Sequence, residues 1–151
     1  MKKLLLVLFT IATLSAYAQN KTANSLTYRS SAGLRIGAGG GLNLKTFISD
    51  KKAVEFIGFF NSEGTRIQGF YEFHGDLSTE GNLKWYIGPS LGVGFYSGVN
   101  STSISIGGVI GLDYKFKELP LNIALDWSPN FVTNNIGFKG DWITLAVRYT
   151  F

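Results

Sequence analysis

His74 is the only histidine of this 151-residue chain, and it lies two residues from both Glu72 and Asp76. In an extended segment that spacing puts all three side chains on one face. A carboxylate beside an imidazole can orient it as a general base, and Ser78 follows four residues later as a candidate nucleophile. No nucleophile motif surrounds Ser78, which sits in a stretch that reads as a turn. One histidine with flexible carboxylates and no cysteine also lacks the ligand set of a metal centre. Gly37-Ala38-Gly39-Gly40-Gly41 is rich enough in glycine for a phosphate loop, yet no strand-loop-helix pattern comes after it. Asn100-Ser101-Thr102 matches a glycosylation sequon and reads as a polar loop. These residues predict no catalytic group, no metal site and no cofactor.

The charge on that face is part of a longer pattern. Period-two alternation recurs from about residue 28 to the C terminus, with turn signals between segments and no amphipathic helix. A first strand over about 26–38 is followed by a reversal at Gly39-Gly40-Gly41 and a second strand over about 42–49. Residues 31–48 read as one long strand are the alternative. Ser49-Asp50-Lys51-Lys52 turns into a strand in which Val54, Phe56 and Phe60 oppose Glu55, with Phe59 on the Glu55 side. The next sets Ile67, Gly69, Tyr71 and Phe73 against Arg66, Gln68, Glu72, His74 and Asp76. Further alternation spans 83–95, 103–116 and 121–131, with Pro89 predicting a bulge or kink because it has no N–H to donate. A loop over 133–140 leads to the last strand, giving about eight in all.

Composition decides which face meets which solvent. Only 16% of residues are charged, while aromatics are spread along the chain and all 19 glycines lie between Gly33 and Gly140. An eight-stranded barrel has an interior just wide enough for side chains to fill. The Leu, Ile, Phe, Tyr and Trp face is too bulky for it, whereas the Gly, Ser, Ala and Asn face with scattered charge fits. The bulky face is therefore expected to meet hydrocarbon, where a closed barrel leaves no backbone group unpaired. The enclosed face would carry Arg35, Lys45, Glu55, Arg66, Glu72, His74, Lys84, Asp113, Lys115, Asp126 and Arg148 as an ion-pair network filling the lumen. Aromatics near strand ends would form two interfacial girdles: Tyr114, Phe116, Tyr149 and Phe151 at one, Phe60, Phe95, Phe131 and Trp142 at the other.

The termini agree with an exported membrane protein. Lys2 and Lys3 precede an apolar run over 4–12 and then Ala16-Tyr17-Ala18, the pattern of a cleaved signal peptide over 1–18 with the barrel domain over 19–151. No stretch approaches the roughly 20 apolar residues of a membrane helix. The two signal-peptide lysines supply half of the formal +4 charge, so it argues for no nucleic-acid partner. At the other end Leu145, Val147, Tyr149 and Phe151 share a face and finish the chain on an aromatic.

Gly33-Leu34-Arg35-Ile36-Gly37, Tyr71-Glu72-Phe73-His74, Trp85-Tyr86-Ile87-Gly88, Gly111-Leu112-Asp113-Tyr114-Lys115-Phe116, Leu119-Pro120-Leu121, Asp126-Trp127-Ser128-Pro129 and Arg148-Tyr149-Thr150-Phe151 together resemble the small outer-membrane β-barrel family often grouped as porin-like barrel domains. The resemblance covers essentially the chain after the signal peptide, and its motifs specify a scaffold and no substrate. It implies a closed antiparallel up-and-down transmembrane barrel in the bacterial outer membrane, with the C-terminal strand presented to the barrel-insertion machinery. Outer-membrane lipids would be its surroundings and a monomer its expected state. The role expected is structural or interactive within the envelope. The alternatives are a narrow porin-like channel for small solutes and a secreted soluble ligand-binding barrel; the last would need an apolar cavity and a charged exterior. With the C terminus at the periplasm, turns near Gly64, Asn100 and Asn134 should face outward and those near Lys51, Glu80 and Glu118 inward.

Overall fold

The computed structural model describes residues 28–37, 39–62, 64–79, 82–96, 101–133 and 137–151. The proposed signal peptide over 1–18, and Glu80, Asn100 and Asn134, lie outside them. Every regular element among the described residues is a strand: β1 (Ser30–Gly37), β2 (Gly39–Ser49), β3 (Lys52–Asn61), β4 (Gly64–Asp76), β5 (Leu83–Tyr96), β6 (Ser101–Lys115), β7 (Leu121–Trp127), β8 (Asn130–Val132), β9 (Gly137–Lys139) and β10 (Ile143–Thr150). Strands consecutive in sequence pair antiparallel except β7 with β8 and β9 with β10, and β1 pairs with β10 to close the sheet. β7 with β8, and β9 with β10, are two broken staves, so the barrel has eight.

The alternation reads out as an inversion of a soluble protein. Along β10 the burial switches at every residue, with Ile143, Leu145, Val147 and Tyr149 exposed and Thr144, Ala146, Arg148 and Thr150 buried. Leu34 is 63% exposed and the adjacent Arg35 only 1%. Closure explains how the sheet tolerates this, because every stave is hydrogen-bonded on both sides and no edge is left open.

Several local features depart from the alternation-based expectations. The first reversal lies between Gly37 and Gly39, which pair with each other, and not at Gly39-Gly40-Gly41. Both residues have positive φ, 138° and 125°, a region that only glycine enters at little cost. The hairpin also settles that residues 31–48 are two strands. Pro89 causes no bulge: β4 and β5 keep one register from Gly64↔Tyr96 to Asp76↔Lys84, and only the pairings opposite Gly88 and Pro89 lapse. There a Cβ on Gly88 would stand 1.8 Å from the Tyr71 carbonyl oxygen, so glycine allows an approach that no other residue fits. The bulge instead falls between Phe47 and Ser49.

The final loop is shorter than expected, because Gly137–Lys139 pairs with Asn130–Val132 as β9. Ser128-Pro129 interrupts the stave between β7 and β8 without changing its register against β6. The opposing stave does gain a residue between β9 and β10, as the change from Asn130↔Lys139 to Trp127↔Ile143 shows. That extra residue reverses the facing of its C-terminal neighbours, and Trp142 turns into the barrel mouth and out of the interfacial girdle expected for it.

Gly33 tests the closure. A Cβ on it would lie 2.0 Å from the Val147 carbonyl oxygen across the β1–β10 seam. Gly33→Val is expected to cost about 1–3 kcal/mol by forcing backbone shifts, read as a lower urea midpoint of the folded protein, whereas an unchanged midpoint would deny the close approach.

Candidate functional site

Among the described residues polar chemistry is concentrated in the interior, and alternation puts it there. The largest fully buried side chains include Arg35, Arg148, Tyr86, Lys45, Gln68, Glu55 and Glu72. Glu55, from β3, accepts hydrogen bonds from Arg35 on β1 at 2.8 Å and from Arg148 on β10 at 2.9 and 3.0 Å. Asn43 donates a further bond to it. Asp126 accepts from Arg35 (2.8 Å), Thr144 (2.7 Å) and Tyr86 (2.6 Å). Asp113 faces Lys45 (3.1 Å) and Arg148 (3.2 Å), and accepts from Tyr28 (3.0 Å) and Asn122 (2.6 Å). Glu72 closes the cluster with Lys45 (2.7 Å) and His74 Nε2 (2.8 Å).

Four acidic side chains thus meet three cations in a buried space, and neutral donors satisfy further oxygens of those acids. Tyr28, Asn43, Tyr86, Asn122 and Thr144 each donate to a carboxylate oxygen of the cluster. Lys45 also lies 4.4 Å from the centre of the Tyr86 ring, a favourable seat for a desolvated ammonium. His74 is held between Phe47 (4.8 Å) and Tyr86 (5.2 Å) by ring contacts.

Eight of the eleven residues assigned to the lumen from sequence meet in this cluster: Arg35, Lys45, Glu55, Glu72, His74, Asp113, Asp126 and Arg148. Three do not. Lys84 pairs with Asp76 at 3.3 Å on the rim, where the aspartate side chain is half exposed. Lys115 donates to the carbonyls of Phe116 (2.6 Å) and Leu119 (2.7 Å) and so caps a turn. Arg66 stacks between Phe59 and Trp142, apart from the carboxylates. Ser78 is likewise engaged, since its hydroxyl donates to Asn82 and accepts from the Leu83 amide within the turn.

The interior is also less polar than alternation suggests. Phe47, Ile57, Phe59, Phe70 and Val109 point inward beside the charges, and Ala124 and Ala146 leave room for them. A second polar group, Gln68, Ser90 and Asn130, bonds beyond this apolar layer through the Asn130 side chain. Sequence reasoning passed over Tyr86, Asn122 and Asn130 as partners although their parity with Lys84 and Asp126 places them on the polar face. Parity with Thr144 likewise signals the inward turn of Trp142. Leu145, Val147, Tyr149 and Phe151 lie together on the outer face of the last strand.

The arrangement can hold staves together and exclude water; it offers no open nucleophile beside a base. Comparison with models of known families, with curated proteins and with solved structures finds no significant match.

Removing one member of this cluster should be costly. Glu55→Ala leaves two buried guanidiniums without their shared acceptor and is expected to destabilise by about 3–5 kcal/mol, while Asp76→Ala at the rim should cost about 0–1 kcal/mol. Equilibrium urea unfolding reads both, and equal effects would mean that the cluster is not a desolvated unit.

Proposed function

We propose that this chain is an integral outer-membrane β-barrel protein of a bacterial envelope, with a structural or interaction role and a lumen closed to solutes. The observation that carries the reading is the inverted burial: Arg35, Glu55 and Arg148 are at most 1% exposed, while Leu34, Phe56 and Phe131 are more than 60% exposed. Water would penalise such an exterior at roughly 25 cal/mol per Å² of apolar surface, whereas hydrocarbon does not.

Further features support the same placement. β2 to β6 are 10 to 15 residues long, sufficient for the roughly 9–11 residues of a tilted membrane-crossing strand. Outward-facing aromatic pairs Tyr71–Phe73, Tyr114–Phe116 and Tyr149–Phe151 gather toward the end at which the chain finishes, with Trp85 packed over Gly75 among them. Phe60, Phe95, Phe131 and Phe138 stand exposed at the other end. Two such belts match the girdles of a membrane barrel. The C-terminal strand, with Leu145, Val147, Tyr149 and Phe151 outward, suits recognition by the barrel-insertion machinery. The proposed state is a monomer surrounded by outer-membrane lipid.

Two measurements test the reading. The chain has no cysteine, so each introduced thiol reports alone. A membrane-impermeant maleimide should label Ser62→Cys on intact cells but Lys51→Cys and Glu118→Cys only after the outer membrane is breached; uniform labelling would indicate a protein outside the membrane, and the reverse pattern an inverted barrel. In planar bilayers the purified protein should give little or no single-channel current, because side chains fill the interior of an eight-stranded barrel. Large, stable conductance would favour the narrow-channel alternative.

A further inference from the structure

Arg66 is the one inward-facing arginine of the barrel wall that forms no direct ion pair with a carboxylate among the described residues. Arg35 and Arg148 each reach two acidic side chains. Arg66 instead lies with its guanidinium carbon 3.8 Å from the centre of the Trp142 ring and 4.4 Å from that of Phe59. β4 and the stave bearing Trp142 stand on opposite sides of the barrel, so the arginine reaches across the mouth. Its Nε is buried without a partner, as are those of Arg35 and Arg148.

Two aromatic rings against a guanidinium favour the cation electrostatically and fix its plane, but use none of its N–H groups. The fork remains available in that plane, at a half-buried position where water competes less. Beside it the wall carries hydroxyl groups. Arg66 pairs with Gly94, over which the Ser103 hydroxyl and the Tyr96 side chain pack closely, 2.8 and 3.1 Å from where a Cβ would stand. Both bring a neutral hydroxyl, able to donate a hydrogen bond, to the wall around the strand partner of Arg66.

We propose that Arg66, clamped by Phe59 and Trp142 and flanked by Ser103 and Tyr96, is a binding site at the barrel mouth for an oxyanion, a carboxylate or phosphate group carried by a molecule from the surroundings. The site is made of inward-facing groups, so it stands independently of what covers the outer face. Asp141, exposed and adjacent in sequence to Trp142, interacts electrostatically with Arg66 and so opposes an anion bound there.

Trp142 provides the readout. Micelle-folded full-length protein is titrated at constant ionic strength with inorganic phosphate, with glucuronate and with uncharged glucose, following tryptophan fluorescence. A saturable response to phosphate alone assigns a phosphate-bearing source, and one to glucuronate alone a carboxylate-bearing source; glucose should give none. Arg66→Gln should weaken the apparent affinity about tenfold or more, as loss of a charge-assisted fork predicts, and Arg66→Lys should fail to restore it because the ammonium has no fork. Asp141→Asn should tighten binding by about twofold or more on removal of the opposing charge. If Arg66→Gln does not fold, the Asp141→Asn titration decides: tighter binding supports the site and unchanged affinity overturns it. Equal responses to glucose, or curves unchanged in folded Arg66→Gln, also overturn it.

Discussion

Glu55 holding two arginines is the contact on which the barrel's closure rests. The chain begins its first stave and ends its last side by side, and Arg35 and Arg148 project inward from the two strands of that seam. Both reach the same carboxylate on β3, so one acid spans the seam from inside. Arg35 continues to Asp126 on β7, and Arg148 to Asp113 on β6. Strands far apart in sequence are thereby tied by groups that cannot be separated without stranding charge in a space that water does not reach.

Such a network returns little net energy relative to a well-packed apolar core, because desolvation offsets much of the Coulombic attraction. Its value lies in register. A slip of one residue in any stave would carry its charge to the outer face and its leucines and isoleucines to the lumen. Misregister is thus penalised on both faces at once, which is a stronger constraint than either face would supply alone. The neutral donors Tyr86, Asn122 and Thr144 tighten it, since each finds its acceptor only in the native pairing.

The wall accommodates its irregularities by two different routes. Gly88-Pro89 and Ser128-Pro129 interrupt the regular pairing but keep register, and at the second break the Ser128 amide still donates to the Trp142 carbonyl and the Pro129 carbonyl accepts from the Gly108 amide. Between β9 and β10 one extra residue is absorbed, and the facing changes. That single insertion brings Trp142 over Arg66 and makes the mouth of the barrel chemically unlike its middle. The proposed oxyanion site exists because of a backbone irregularity and not because of a motif.

Alternation with period two was enough, read along the chain alone, to determine an all-β fold, about eight staves and which residues share a face with Arg35, Glu55 or Arg148. Side-chain direction in a strand is a local property, and side-chain bulk against the narrow lumen of an eight-stranded barrel then assigns inside and outside. Partnership is not local. Lys84 and Lys115 share the lumen face with Lys45, yet they end at the rim and on turn carbonyls, since height along the barrel and the stagger between staves decide what lies within reach. Arg66 has the parity of Glu72 and lies on the same strand, but Phe59 and Trp142 occupy the space around it where an acid would have to stand. Local pattern therefore set the direction of each side chain, while closure of the sheet, with its breaks at Pro89, Pro129 and residues 140–142, chose the partners.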